Sequence, residues 1–512
     1  MKLKLFFFFI NTMILFAQEI EFNRSGYFKD LNGINRLEFV VSINEFEFIT
    51  IRSFHDIDTY LITKYNSDLK VLDEIKYKNN KTKLISAIIL NDKLTIIGVE
   101  SKNNNASNSI ETYEYFSLET DVSKLSLNKK LFFSISEKNL NNFFNSYNKF
   151  GSNDFSEKIF YSDNFEYFSL YFSIKNKNME NIGLINFNSS LKMNYSAIIG
   201  TNNDLDNITL EDILVDNEGS TYILANNITK KTSFSNKFLY YSELKCYSKN
   251  NFSTYNLSQH DLNLSSFKLM KKGDILSLIG LYSEESNLNF KGIFRINFKN
   301  IALERTEFMF NELNEQFIID KLGSVEKYKN SFNNKLFAGE CIWLDDDSII
   351  YIAEENSVGG TFISSSVGVG GTSTSPSFAS DLSIFKLDKE GDLVWGRNIN
   401  KSQKKNYYET YSYKLLFNKS DIHLLINASN ELNNDINKEI KLTGDAAFNL
   451  NLFDVKIKNN GEIQYKILID QNNINTPLIL KRGKYLNKFH NLIVLSTLKK
   501  NKKTELFKFE LN

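Results

Sequence analysis

A pair of short hairpins recurs along most of this sequence and indicates how the chain is built. The first hairpin of the pair, which we name the head, is clearest in DLSIFKLDKEGDLVWGRNIN from Asp381, where apolar and polar residues alternate on both sides of a turn. The turn ends at Gly391, and glycine readily adopts the positive φ that closes a hairpin. Alternation with a period of two residues is typical of β-strands, so each head is predicted to be a β-hairpin.

The same pattern recurs in further heads, which begin at Tyr60, Tyr113, Ile182, Tyr241, Gly292 and Leu452. A second hairpin, the tail, lies between successive heads, and tails begin at Lys83, Lys158, Ile208, Ser266, Lys335, Lys414 and Lys484. One head and one tail make four strands, and the unit recurs every ~50 to 70 residues, which is the size of a propeller blade. Helical repeats would show a helical period instead. The sequence therefore predicts an all-β chain of four-stranded antiparallel blades.

The two ends of the sequence predict that the blades close into a ring. The segment from Leu37 has the pattern of a tail without a head, and the segment from Glu505 that of part of a head without a tail. We expect the N- and C-terminal strands to share one composite blade, because such a pairing removes the exposed strand edges of an open array. Seven complete units and the composite predict a closed β-propeller of eight blades. The alternatives are seven blades, if one weak unit is an insertion, and an open array or two stacked β domains.

Length, composition and charge agree with a large repeat architecture. At 512 residues the chain exceeds what one ordinary hydrophobic core supports. Its 42% hydrophobic and 14% aromatic content suits extensive strand packing and is too high for a disordered chain. Lysine plus arginine and aspartate plus glutamate both number 61, so the formal net charge is zero and no basic surface for nucleic acid is expected.

The start of the sequence has the pattern of a signal peptide. Lys2 and Lys4 precede an apolar run that ends at Ala17, and the run is short for a membrane span. We predict a signal peptide over residues 1–17 and a single propeller domain over residues 18–512, with a retained N-terminal anchor as the alternative. The mature chain is expected to be exported across the inner membrane to the periplasm, the cell surface or the medium. It is also expected to be monomeric and not an integral membrane protein.

The two cysteines, Cys246 and Cys341, are too few for a disulfide framework in a chain of this length. They have no zinc-binding spacing either. We predict two buried free thiols, while a disulfide between them stays an alternative in an oxidising compartment.

Two segments resemble repeats found in bacterial propellers. The head from Asp381, with Trp395 after its glycine turn, resembles the pattern DxFxxKxDxxGxxxW, and the tail ILVDNEGSTYILAN from Ile213 resembles DxxGNxYxxG. Over about residues 335–465, which include LLINASN from Leu424, the chain is similar to a family of uncharacterised exported β-propeller-repeat proteins of Bacteroidota. The resemblance implies fold and export, and the family supplies no catalytic motif to carry over.

Three acidic turns are candidates for cation binding. Residues 345–347 (DDD) would hold a cation if other oxygen ligands converged on them, and residues 216–219 (DNEG) and 388–391 (DKEG) occupy the same kind of turn. Aspartate is common in hairpin turns for local reasons, and no spacing matches an EF-hand loop. We interpret all three as solvated turns and predict no metal and no cofactor.

The clearest shift in composition is a Gly/Ser-rich segment at 357–380, between a tail and the next head. It is predicted to be a long loop on one face of the ring, with a flexible insertion favoured over a binding loop. It is not a phosphate-binding loop, because no Lys-Ser/Thr pair and no helix pattern follow its glycines.

The four histidines, His55, His260, His423 and His490, are scattered and match no metal-binding spacing. Each is predicted to be a surface or turn residue. The sequence has no GxSxG elbow, and a Ser-His-Asp triad or a pair of carboxylates for glycoside hydrolysis cannot be recognised without the fold. No catalytic, cofactor-binding or metal-binding residue is therefore predicted.

The sequence favours an exported non-enzymatic scaffold that binds a protein or glycan partner, because many tight repeats carry no recognisable chemical constellation. The alternative is a polysaccharide-acting hydrolase or lyase on the same fold, since aromatic loops can stack on sugar rings. A second alternative is a structural component of the cell envelope. Convergent carboxylates or a His/Tyr/Arg cluster at the central channel would favour the enzyme, and an apolar or aromatic patch on one face would favour the binder.

Overall fold

Antiparallel sheets stand around a ring in the computed structural model of the chain, and this is the architecture of a β-propeller. The all-β fold class and the count of eight blades are confirmed. None of the described helices is long and apolar enough to cross a membrane. The structure describes residues 20–29, 35–54, 59–78, 82–103, 110–136, 155–176, 179–199, 208–229, 239–257, 262–284, 290–299, 301–328, 336–357, 361–364, 371–374, 377–405, 409–418, 421–429, 439–442, 450–470, 478–487, 490–498 and 503–511. The predicted signal peptide at 1–17 lies outside these residues.

The first half of the chain forms the strands of four blades, after two strands that belong elsewhere. The two early strands are β1 (Ile20–Arg24) and β2 (Phe28–Lys29). Blades 1 and 2 consist of β3 (Asn35–Ser42), β4 (Glu47–Phe54), β5 (Thr59–Asn66), β6 (Val71–Lys78), β7 (Thr82–Leu90), β8 (Lys93–Asn103), β9 (Ile110–Asp121) and β10 (Asn128–Ser136). Blades 3 and 4 consist of β11 (Phe155–Tyr161), β12 (Tyr167–Asn176), β13 (Met179–Asn188), β14 (Met193–Ile198), β15 (Ile208–Val215), β16 (Thr221–Thr229), β17 (Leu239–Tyr247) and β18 (Phe252–Asn256).

The second half adds four more blades and the helical elements. Blade 5 and the segment after it contain β19 (Leu262–Lys272), β20 (Ile275–Glu284), β21 (Gly292–Lys299), β22 (Glu304–Glu312), helix α1 (Glu315–Leu322) and a 3₁₀ turn (Val325–Lys327). Blade 6 and its insertions contain β23 (Leu336–Trp343), β24 (Ile349–Ser357), β25 (Thr361–Ser364), β26 (Gly371–Thr374), β27 (Phe378–Leu387), β28 (Leu393–Ile399) and β29 (Lys401–Lys404). Blades 7 and 8 and the segments between their strands contain β30 (Tyr413–Asn418), β31 (Asp421–Ala428), β32 (Ile440–Leu442), β33 (Asn451–Ile457), β34 (Ile463–Ile469), a 3₁₀ turn (Leu480–Arg482), β35 (Lys484–Asn487), β36 (Asn491–Leu498) and β37 (Lys503–Leu511). Strand β32 pairs in parallel with β29 and so joins the sheet of blade 6.

The strands of a blade follow one another in chain order, and the first strand is the innermost. The first strands of neighbouring blades contact one another around the ring, as β3 does with β7 and β15 with β19. The fourth strand is the outermost, and most side chains of β6 are exposed or half-buried. Each predicted tail supplies the two inner strands of a blade, and the head that follows it supplies the two outer strands.

The cores between blades depend on aromatic rings that lie over glycines. Gly98 on β8 pairs with Phe116 on β9, and Gly183 on β13 pairs with Phe172 on β12. A Cβ added at Gly98 would stand 2.5 Å from the ring of Phe116, so no larger residue fits there without movement. Because glycine has no side chain, the rings of Phe116 and Phe172 can lie flat on the sheet, and both are fully buried.

The ring closes through a composite blade, as the sequence predicts. β1 is the outermost strand of blade 8 and pairs antiparallel with β37, with Ile20 opposite Leu511 and Arg24 opposite Phe507. The prediction was wrong about which N-terminal segment completes this blade. The hairpin from Leu37 forms the inner half of blade 1 instead. That hairpin pairs with the head from Tyr60. The pattern alone does not identify this partner, because every inner hairpin has the same alternation.

The path of the chain gives the ring two unlike faces. The turns between first and second strands and between third and fourth strands are tight and lie on one face, which we name the turn face. The other connections lie on the opposite face, which we name the connection face. The Gly/Ser-rich segment at 357–380 joins β24 to β27 on the connection face and contains the hairpin of β25 and β26. Its flexibility stays a prediction.

Candidate functional site

The acidic segments singled out in the sequence are hairpin turns on the turn face. In the turn at 345–347, Asp346 accepts the backbone N–H of Ser348 at 3.0 Å, and Asp345, Asp346 and Asp347 are all exposed. At 388–391 and 216–219 the glycine has a positive φ, 97° at Gly391 and 84° at Gly219. All three segments are turns, as predicted, and those at 345–347 and 388–391 reach solvent. The prediction of a solvated turn is wrong for 216–219, where Asp216 and Gly219 are buried.

The turn at 216–219 differs from the other two because its aspartate is buried. Asp216 is 4% exposed and all four of its lone-pair positions are used. Oδ1 accepts the backbone N–H groups of Glu218 and Ser220 at 3.0 and 2.8 Å. Oδ2 accepts the hydroxyl of Tyr222 at 3.2 Å and the ammonium of Lys271, from the next blade, at 2.6 Å. Asp216 therefore joins blade 4 to blade 5.

A second carboxylate, four residues earlier on β15, joins the same two blades. Asp212 on β15 accepts the ammonium of Lys268 at 3.2 Å and the backbone N–H of Leu269 at 2.8 Å, both on β19. The inner strands of blades 4 and 5 therefore carry two cross-blade ion pairs, Asp212 with Lys268 and Asp216 with Lys271. Both pairs are partly shielded from water, so they are worth more than exposed surface pairs.

Two adjoining cavities open beside these ion pairs on the turn face, and we name them together the turn-face groove. The larger, of about 440 Å³, lies between the inner strands of blades 3, 4 and 5, and both ion pairs line it together with Tyr161. The other, of about 420 Å³, is lined by Tyr222, Lys299 and Ile301. The cavities share Glu218, Lys271 and Asp274. Volumes of this size are typical of sites for small polar ligands.

The groups behind the groove are buried and hard to ionise. Burial, followed by the charges of Cys246 and Asp216, raises the pKa of the Tyr222 phenol. Burial and the negative charge of Asp216 raise the pKa of the Cys246 thiol to about 12. Cys246 is therefore a structural thiol and not a nucleophile at neutral pH.

Tyrosine hydroxyls fasten the inner strands of neighbouring blades to one another. Tyr161 of blade 3 lies 2.8 Å from the hydroxyl of Ser86 in blade 2, and Tyr351 of blade 6 donates to the carbonyl of Ser266 in blade 5. Tyr413 of blade 7 donates to Glu340 of blade 6 in the same way. Polar contacts therefore join neighbouring blades at several junctions around the ring axis.

One of the four predicted surface histidines is in fact in the core. His423 on β31 is 1% exposed, and its Nδ1 lies 2.9 Å from Oδ2 of Asp454 on β33. The second strand of a blade is covered on both sheet faces, so a polar residue within it is buried whatever its type. His490 lies in an exposed turn as predicted, and His55 and His260 lie outside the described residues.

The cysteines are unpaired, as predicted. Cys246 is buried on β17 of blade 4, and Cys341 is half-buried on β23 of blade 6. Burial raises the pKa of Cys341 above its ordinary value, with smaller effects from Lys268 and Asp212. Cys341 was predicted to be buried, and its bulged position at the inner edge of the sheet leaves part of it accessible.

No protein-family model and no curated protein matches the chain. Among solved structures it is similar to the polysaccharide lyase Uly1, at 9% identity and a TM-score of 0.40, over 94% of this chain and 90% of that chain. It is similar to the β-propeller domain of the Trilobed protease from Pyrococcus furiosus, at 11% identity and a TM-score of 0.35, over 86% of this chain and 99% of that domain. A prolyl endopeptidase matches at 10% identity and a TM-score of 0.35 over 76% of this chain, which spans 45% of that enzyme. At such identities the likeness concerns the fold alone.

Proposed function

We propose that the chain is an exported, non-enzymatic propeller scaffold and that its turn-face groove binds a glycan. The observation that carries the proposal is the saturation of Asp216. A carboxylate that already accepts four hydrogen bonds has no lone pair free for a proton of the substrate. Asp216 is therefore suited to holding the shape of the groove and not to exchanging protons with a substrate.

The remaining groups of the groove suit a ligand rich in hydroxyls. Glu218 and Asp274 are exposed acceptors at the point where the two cavities meet, and Lys271 and Lys299 are donors beside them. Sugar hydroxyls both donate and accept, so they match a surface on which carboxylates and ammonium groups alternate. The ring of Tyr161 in the larger cavity adds an apolar surface of the kind on which a sugar can stack.

The proposal is tested by isothermal titration of the mature chain with a panel of neutral and acidic oligosaccharides. Glu218→Gln and Asp274→Asn should each weaken glycan binding by about 5- to 20-fold, because each removes a charged acceptor at the centre of the groove. The control is Glu390→Gln, which alters the same position of a turn with the same DxEG pattern, between the outer strands of blade 6, and should leave binding unchanged. A panel with no bound glycan, or equal affinities for Glu218→Gln and Glu390→Gln, would overturn the proposal.

A polysaccharide hydrolase or lyase is the second candidate, and one observation favours it. Glu218 and Asp274 are two exposed carboxylates on one groove, and glycoside hydrolases use two carboxyl groups. Prolonged incubation with each bound glycan, followed by assays for new reducing ends and for unsaturated products, separates the candidates. Product formation that Glu218→Gln abolishes, with binding retained, would replace the scaffold by an enzyme. Binding without product supports the scaffold.

A further inference from the structure

One exposed aromatic residue beside the turn-face groove has an unfavourable backbone conformation. Phe165 lies in the turn between β11 and β12 of blade 3, and it is 49% exposed. Its φ is 58°, in the left-handed region, where the Cβ of an L-residue lies too close to the backbone. A bulky residue in this region lowers stability, and a half-exposed ring regains less through burial than a core residue does.

The same turn position elsewhere in the chain is occupied by residues that reduce this strain. The N–H of Phe165 donates to the carbonyl of Ser162, three residues earlier, at 3.0 Å. Six other described turns have the same bond from a residue with positive φ, and these residues are Leu69, Leu191, Gly219, Asp347, Gly391 and Gly461. Glycine has no Cβ, and aspartate is among the few other residues found regularly in the left-handed region. The two leucines are buried, at 3% and 9% exposure, so their packing offsets the strain. Phe165 has none of these compensations.

The turn that carries Phe165 is fixed at the edge of the groove. Tyr161 and Asp163 precede it and line the larger cavity. The backbone N–H of Asn164 donates to the side-chain oxygen of Asn217 at 3.0 Å, and Asn217 lines the same cavity. The ring of Phe165 packs edge-on against that of Tyr161, with centroids 6.0 Å apart. Since the hydroxyl of Tyr161 contacts blade 2, Phe165 lies at the blade 3 end of the groove, on the side of blade 2.

We propose that Phe165 is a stacking residue that extends the turn-face groove toward blade 2 and binds a further sugar of the same glycan. This inference rests on the proposed function and specifies its ligand as a linear oligosaccharide longer than the two cavities hold. The less polar face of a sugar ring packs on an aromatic ring, and Phe165 presents such a ring to solvent. The fixed turn holds the ring in place before binding, so little conformational entropy is lost when the sugar binds.

The test is isothermal titration of the mature chain with trisaccharides and hexasaccharides of cellulose, laminarin and alginate. A hexasaccharide should bind at least about tenfold more tightly than its trisaccharide, because only the longer chain reaches from the cavities to Phe165. Phe165→Ala and Phe165→Leu should each weaken hexasaccharide binding about tenfold and leave trisaccharide binding unchanged, since neither side chain has a planar face. Phe165→Tyr should retain the affinity of the wild type, because its ring has the same face.

Phe46→Ala is the matched control. Phe46 is an exposed phenylalanine in the corresponding turn of blade 1, but its φ is not positive and it lines neither cavity. The variant should leave the affinities for both lengths unchanged.

Phe165→Gly separates a role in binding from a role in the fold. Glycine adopts a positive φ without strain, so the melting temperature should equal or exceed that of the wild type. Hexasaccharide affinity should nevertheless fall about tenfold, as in Phe165→Ala.

Three results overturn this proposal: wild-type hexasaccharide affinity in Phe165→Ala, an equal loss for both lengths in that variant, or a lower melting temperature in Phe165→Gly. The third would make Phe165 a structural part of its turn. Failure of this inference is distinguishable from failure of the groove, because Glu218→Gln should weaken binding of both lengths and Phe165→Ala only that of the longer one. If no oligosaccharide of any series binds, the proposed function and this inference fail together.

Discussion

Two junctions of the same ring handle charge in opposite ways. Where blade 4 meets blade 5, carboxylates of β15 and its turn meet lysines of β19, and both charges of each pair are matched. Where blade 7 meets blade 8, the ammonium of Lys414 on β30 lies 5.5 Å from the ring centroid of Tyr485 on β35, and no described carboxylate forms an ion pair with it. Both junctions use the innermost strands of an otherwise regular propeller, so the fold does not require either arrangement.

The difference shows which polar groups serve structure and which cost stability. A matched pair such as Asp216 with Lys271 fixes the register between two blades. A desolvated ammonium without an ion pair lowers stability, and such a cost is typical of positions kept for function. Tyrosine hydroxyls join blades in other parts of the ring as well, as in the 3.0 Å bond from the N–H of Leu415 to Tyr485 between blades 7 and 8 and the contact of Tyr161 with Ser86 between blades 3 and 2.

The largest expected effect comes from removing the strand that closes the ring in blade 8. Deleting residues 505–512 removes most of β37, the strand between β36 and β1, and exposes the cores that Leu506, Phe507 and Phe509 fill. Each of these side chains is fully buried and worth about 2–3 kcal/mol, so their joint loss approaches the whole stability of a typical domain. We expect no cooperative thermal transition by circular dichroism.

Replacement of residues 361–374 by two glycines is the matched control for that deletion, because this hairpin extends from the connection face and pairs with no blade strand. It should leave the melting temperature within about 2 °C of the wild type, since loop shortening away from the core changes stability little. An unchanged melting temperature after the 505–512 deletion would contradict the composite blade.

A smaller effect is expected at the matched junction. Asp216→Ala leaves the Lys271 ammonium, the Tyr222 hydroxyl and two backbone N–H groups without their acceptor, and should lower the free energy of unfolding by about 3 kcal/mol. Asp346→Ala is the control, because that aspartate caps a similar turn in solvent and should cost no more than about 1 kcal/mol. The measurement is chemical denaturation, and equal costs for both variants would remove the distinction between the two turns.

The sequence predicts the ring far better than the sites. Hydrophobic alternation recurs in every blade, so errors in single hairpins do not change the fold class. The closing strand β1 was missed because it has five residues and follows the apolar run near the chain start. Asp216 and Asp388 occupy turns with the same DxEG pattern, yet one is buried and one is not, because burial depends on the neighbouring blade. Lys414 was recognised as the start of a tail, but its contact with Tyr485 joins two blades and depends on the fold, so the repeat pattern does not show it.

The smallest expected effect is a change in the free energy of unfolding that has opposite signs at the two junctions. Lys271→Met breaks an ion pair and should destabilise the fold, whereas Lys414→Met removes a desolvated charge and should stabilise it by about 1–3 kcal/mol at pH 7. The pKa of Lys414 in the folded chain is about 8, below the 10.5 of an ordinary lysine. Between these values the unfolded chain binds more protons than the folded chain, so the wild type gains stability as the pH rises.

The advantage of Lys414→Met should therefore be complete below pH 8 and decline toward zero as the pH approaches 10.5, the ordinary pKa of lysine. Chemical denaturation of the variant and the wild type at pH 7 and pH 10 measures that decline as a difference, in which the titration of all other groups cancels. Lys389→Met, at an exposed turn, should show no difference at either pH. A Lys414→Met variant that is less stable than the wild type at pH 7 would mean that Lys414 has a stabilising partner. The contrast between the matched and the unmatched junction would then be lost.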